Sequence, residues 1–175
     1  MSKKCQLFDF LLLIKYDLLG PSEIGGLMPQ DKFPLGRLSH HFTFEELTKT
    51  SKTPYKLLNT LLAKRYIQNM FILANYLLEP ARALLNTPLI VTSGYRCPAL
   101  NKEVGGSKRS QHLNATAADF IINSKNMSLE EAFVTLTESP FLHYGQLILE
   151  RNWIHISLGV PFRDLKKCYE SFKIL

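Results

Sequence analysis

The stretch Ser110-Gln111-His112-Leu113-Asn114-Ala115-Thr116-Ala117-Ala118-Asp119 sets an imidazole and a carboxylate seven residues apart, where a loop gives way to an apolar strand pattern. Both groups are good zinc donors. Two ligands do not make a catalytic site, which draws three from the protein, and a histidine near an aspartate is equally often structural or simply exposed. His155 is the third candidate. It lies within Trp153-Ile154-His155-Ile156-Ser157, where a polar ring in the middle of an apolar strand is costly to leave unpaired. Metal ligation would explain its placement.

Hydrolysis at such a centre also needs a group that receives a proton from water. Gln146 to Glu150 and Trp153 to Leu158 read as strands separated only by Arg151 and Asn152, which predicts a hairpin. In that register Glu150 faces Trp153 and Ile148 faces His155. Strand alternation then puts Glu150 and His155 on one face as diagonal neighbours. Glu150 is therefore the candidate general base, and the alternative is a surface ion pair with Arg151 or a lysine.

The elements that must position these residues follow from local signals. Thr43 with Glu46 forms a capping box that opens a short helix, and Ser128 with Glu131 opens another running to about Thr137. Apolar residues recur at Ile67, Met70, Phe71, Ala74, Leu77, Leu78, Ala81, Leu84 and Leu85, the spacing of a helix with one buried face. Pro80 must bend that helix or start its last turns. Leu89 to Thr92 and Ala117 to Ile122 read as strands, and Ser93 to Gln111 between them as a long loop of the kind that carries function.

With 175 residues, 46% of them hydrophobic, the chain can bury one core and not two. The expected organisation is an N-terminal extension and linker over 1–36, a catalytic domain over 37–160 and a C-terminal tail over 161–175. Glycines and prolines between Gly20 and Gly36 mark the linker. A net charge of +6 favours anionic partners, but the basic residues are scattered without a nucleic-acid module, so no specific nucleic-acid role is expected. Cys5, Cys97 and Cys168 are an odd number without close pairing, which argues against a disulfide framework. Leu7 to Leu19 is interrupted by Asp9, Lys15 and Asp17, which favours an amphipathic helix or packed extension over a signal peptide and is too short for a stable membrane span. Localisation stays open on these grounds, and a monomer is expected.

Several segments taken in order resemble the M15 zinc peptidases, the family of D-Ala-D-Ala carboxypeptidases and phage endolysins. They are Ser39-His40-His41-Phe42-Thr43, Leu78-Glu79-Pro80-Ala81-Arg82, Val91-Thr92-Ser93-Gly94-Tyr95-Arg96, Asn101 to Ser107, the Ser110-to-Asp119 motif, and Gln146-Leu147-Ile148-Leu149-Glu150 before Trp153 to Ser157. The resemblance spans roughly residues 38 to 158. It implies an α+β fold, a small antiparallel sheet with flanking helices shared with the Hedgehog signalling domain. It implies Zn2+ held by His112, Asp119 and His155 with water at the open position, and Glu150 as the base. Arg96 would stabilise the oxyanion at the substrate carbonyl, or else form a structural salt bridge. Ser110 would hydrogen-bond substrate or hold the loop, and Tyr95 would line the pocket or pack. Gly105 and Gly106 would turn the loop near the metal, with His40, His41 and His143 at the surface or in support.

The implied substrate is the peptide stem of peptidoglycan, cut by a carboxypeptidase or a cell-wall endopeptidase, with a lytic phage role by analogy. The chain departs from the family pattern at Ala115, where glycine is usual, and at Gly145, where many relatives have aspartate. A zinc-holding recognition module without turnover is the main alternative. A basic accessory protein of a phage particle is the third reading.

Overall fold

Strands β1 (Leu89–Ser93), β2 (Ala117–Ile122), β3 (Gln146–Leu149) and β4 (Ile154–Ser157) form one antiparallel sheet in the order β1-β2-β4-β3. The computed structural model describes residues 36–159. The N-terminal extension with its Leu7 to Leu19 stretch, the linker before Gly36, the tail over 161–175, Cys5 and Cys168 lie outside the described residues. Cys97 is buried and unpaired.

Helix α1 (Phe44–Thr48) starts at the capping box read from the sequence. Thr43 Oγ1 accepts from the Glu46 amide at 3.1 Å, and the Glu46 carboxylate accepts from the Thr43 amide at 3.0 Å. Helix α2 (Lys56–Ala63) follows, where the sequence pattern announced no element. The long amphipathic pattern becomes α3 (Ile67–Leu73), a π turn over Ala74–Leu78 and α4 (Glu79–Leu85). Pro80 lies in the first turn of α4, and the Glu79 amide reaches back five residues to the Ala74 carbonyl. That wider turn accommodates a proline ring, which would crowd an ordinary helical turn. Asn86 then ends the helix with φ 46°.

Helix α5 (Pro98–Glu103) interrupts the stretch expected as loop, and a 3-10 turn (Gln111–Asn114) follows at its end. Pro98 suits a first helical position because its missing donor has no partner there anyway. Helix α6 (Leu129–Glu138) starts at the second predicted capping box.

Val91, Ala118, Phe120, Ile154 and Ile156 cover the inner face of the sheet and form one core with Met70, Leu73, Leu77, Leu78, Ala81, Leu85, Ala132 and Leu136. The opposite face is mixed, with Ala117, Asp119 and Ser157 buried on it. Ile90, Ile148 and Trp153 are 39%, 41% and 38% exposed there, and it is on this face that Asp119 and His155 meet. An α+β architecture with a small antiparallel sheet is what the sequence led one to expect. No helix among the described residues is long and apolar enough to cross a membrane.

The segment before α1 is tied to α4 by one carboxylate. Glu79 accepts from Ser39 Oγ and from the His41 amide, each at 2.7 Å, and its second oxygen lies 2.7 Å from His41 Nδ1. Burial alone would push this carboxyl up, but the bonds from His41 and Ser39 outweigh it and hold it below the ordinary value of 4.5. A depressed folded-state value means stabilisation that is complete above the unfolded value and fades as pH falls through the folded one. Glu79→Ala is expected to cost about 1–3 kcal/mol at neutral pH. Urea unfolding checks this: the gap to wild type should narrow as pH falls below 4, and a gap unchanged at pH 3 would contradict it.

Candidate metal centre

Asp119 sits directly opposite His155 in the β2–β4 ladder, and residues so paired share a face of the sheet. Asp119 Oδ1 lies 2.7 Å from His155 Nδ1 and 3.2 Å from His112 Nε2. The imidazole rings of His112 and His155 meet edge to face with centroids 5.2 Å apart. One ligand atom from each of these three residues falls within 4.8 Å of the other two, close enough to hold one metal ion. Hairpin register delivers His155: Ile148 pairs with His155 as its alternation predicts.

His112 arrives by a different route. It lies on the 3-10 turn, and Ala115 directly after that turn adopts φ 55°, which swings the chain into β2. Thr116 then bonds back to the Gln111 carbonyl through both its amide and its hydroxyl. The positive φ expected to matter at Ala115 is present, and a left-handed conformation there costs about 1–2 kcal/mol.

His112 Nδ1 is 2.6 Å from the Gly94 carbonyl oxygen. A carbonyl only accepts, so Nδ1 carries a proton there and Nε2 is the ring atom turned toward the cluster. This is the usual way a ligating histidine is oriented. The contact requires Gly94 to pass close to α1: a Cβ on Gly94 would lie 2.3 Å from the Leu47 carbonyl oxygen.

Arg96 Nη2 donates to Asp119 Oδ2 at 2.5 Å and lies 3.3 Å from His112 Nε2, while its Nε donates to Ser93 Oγ at 2.8 Å. Burial would push the Asp119 carboxyl up. Hydrogen bonds from His112 and His155, with the charges of His112 and Arg96, reverse this and hold it well below the usual carboxylate range. Asp119 is thus a carboxylate across the working pH range, as a metal ligand must be.

The loop carrying Gly94 and Arg96 is braced by Asn59, which is fully buried on α2. Its Nδ2 donates to the Thr48 and Tyr95 carbonyls at 2.8 and 3.1 Å, and its Oδ1 accepts from the Cys97 amide at 2.7 Å. Asn59 therefore grips the backbone on both sides of Arg96. Sequence reading missed both Asn59 and the Gly94 carbonyl. A lone amide among Leu57, Leu58, Leu61 and Leu62 was the available signal for the first; nothing in residue type marks the second.

Other candidates fall at different distances from the cluster. Tyr95 is buried and packs on Tyr66 with ring centroids 5.2 Å apart. Burial pushes its phenol up to about 12, so it stays neutral. Ser110 is half-buried ahead of the His112 turn: its amide donates to Ser107, its carbonyl accepts from Leu113, and its hydroxyl caps nothing. Glu150 is exposed at the hairpin end, where its amide donates to the Trp153 carbonyl at 2.9 Å. Its carboxylate makes no ion pair with Arg151 or a lysine among the described residues. At Gly145 a Cβ would lie 2.4 Å from the Leu158 carbonyl oxygen, so no side chain fits this backbone.

Two imidazoles and an ionised carboxylate, one imidazole with its Nε2 turned toward the cluster by a carbonyl on Nδ1, form a donor set suited to a divalent transition metal. A search of curated proteins returns no match. The family model described as Peptidase M15 matches residues 40–157, which include all three cluster residues and most of the chain. The chain belongs to the peptidase M15 family of metallopeptidases.

Proposed function

We propose that this is a zinc-dependent peptidase acting on the peptide stems of peptidoglycan, with His112, Asp119 and His155 as the metal ligands and Glu150 as general base. The observation that carries the reading is the meeting of those three side chains, His112 and Asp119 buried and His155 partly exposed, on the side of the sheet that also bears exposed Ile148. A zinc ion held there would polarise the scissile carbonyl and make water a usable nucleophile near neutral pH.

The chain's own groups supply the rest. Continued alternation beyond Ile148 would put Glu150 on the face of His155, and its carboxylate, unengaged by the described cations, would take a proton from the attacking water and pass it to the leaving amine. Arg96 places a fixed cation against Asp119, where it orients that carboxylate and adds positive charge near a developing oxyanion. Ser110 presents an uncommitted hydroxyl next to the His112 turn, available to a substrate amide.

Digestion of purified peptidoglycan by the zinc-loaded protein, followed by mass analysis, tests the activity. Free D-alanine marks a carboxypeptidase, and stem or crosslink fragments mark an endopeptidase. Intact peptidoglycan would leave only the rival reading, a metal-holding wall-recognition module. Glu150→Gln is expected to lower kcat by roughly 10²–10⁴-fold with zinc content and KM retained. Unchanged kcat in that variant would remove Glu150 from the mechanism.

A further inference from the structure

Helix α2 is reversed relative to an ordinary amphipathic helix. Its buried side holds Asn59 and Ala63, whereas Leu57, Leu58 and Leu61 are 73%, 42% and 52% exposed. Ile67, at the start of α3, is 40% exposed. Helical spacing puts Leu57, Leu58 and Leu61 on one outward stripe, with Lys64 and Arg65 continuing it one turn later. Contiguous exposed aliphatic side chains on a small domain mark an interaction surface.

Charge identifies the partner. From Leu47 to Leu78 the chain has no acidic residue, while Lys49, Lys52, Lys56, Lys64 and Arg65 fall within or beside α2. Lys52 pairs with Glu103 at 3.7 Å; the other four make no ion pair among the described residues. An anionic polymer would need only the cations, and a protein hot spot would favour aromatic anchors. Aliphatic leucines between lysines instead suit acyl chains beneath anionic headgroups, with lysine stems lying along the apolar layer and ammonium groups reaching out of it.

We propose that the outer face of α2 docks on an anionic lipid surface, lying in the interface without crossing it. The docking itself rests on the exposed leucines and the cations of α2, and its benefit to catalysis rests on the proposed peptidase function. It would hold the enzyme beside a membrane that borders its substrate and raise its local concentration there.

The test is co-sedimentation of the full chain with phosphatidylcholine vesicles with and without about one-third phosphatidylglycerol. Wild type is expected to pellet with the anionic vesicles, to stay in solution with the neutral ones, and to be released by salt. The double variant Leu57→Gln/Leu61→Gln is expected to lose roughly tenfold or more in partitioning. Its circular dichroism and thermal midpoint should match wild type, because both side chains already face solvent. Three results would overturn the proposal: wild type left in the supernatant, binding unchanged in the double variant, which would indicate charge alone, or a dimer in sedimentation that the double variant dissociates, which would assign the face to a second copy.

Discussion

Asp119→Ala is expected to lower kcat/KM on the order of 10³-fold or more and to lose bound zinc in parallel. This carboxylate is the hinge of the cluster: one oxygen faces both His155 and His112, and the other takes the Arg96 guanidinium. Removing it leaves Arg96, with a side chain only 18% exposed, beside two imidazoles and no anion. Such a site repels a divalent cation as well as lacking a ligand for it. Asp119→Asn separates the two effects, since it keeps the shape and hydrogen-bonding capacity but not the charge. It is expected to fold normally by circular dichroism and still bind zinc weakly. Activity near wild type in either variant would remove Asp119 from the metal centre.

Gly94→Ala tests how the site is assembled, with a change of one methyl group. The added carbon would meet the backbone of α1, which cannot rotate away as a side chain can. The loop must shift, and both the Tyr95-to-Leu47 backbone bond and the Gly94 carbonyl that holds His112 shift with it. A stability loss of about 1–3 kcal/mol is expected from the steric clash. A fall of roughly 10–100-fold in zinc affinity is expected from the misdirected imidazole. Urea midpoints and chelator competition measure the two separately. Unaltered zinc affinity in a destabilised protein would show that the carbonyl does not orient the ring.

What could be read from the sequence was local or periodic. The capping boxes at Thr43 and Ser128 depend on residues three apart, and both helices begin where those pairs stand. Hairpin alternation placed Ile148 against His155 correctly, although regular pairing stops at Leu149 and Ile154 and one bond from Glu150 to Trp153 closes the turn. Periodicity also located the long helical run, while the π turn that makes room for Pro80 is a consequence of backbone geometry that spacing does not encode.

The rest was set by contacts distant in sequence. Apolar spacing around Leu57 and Leu61 would ordinarily be taken as a buried stripe; the need of Asn59 to bond the Thr48, Tyr95 and Cys97 backbones turned the helix the other way. Tyr95 follows a glycine near the site, yet the close approach of Gly94 to Leu47 directs its ring inward onto Tyr66. Gly145 looked like the loss of a carboxylate, and the proximity of Leu158 explains why no side chain fits there.

X-ray absorption at the zinc edge, on protein loaded with one equivalent of zinc, reads the proposed ligand set of His112, Asp119 and His155 atom by atom. The expected spectrum shows the zinc bound by two imidazoles and a carboxylate oxygen, with the imidazole signal reduced in His155→Ala. A sulfur-containing shell, or one unaltered by that substitution, would contradict it.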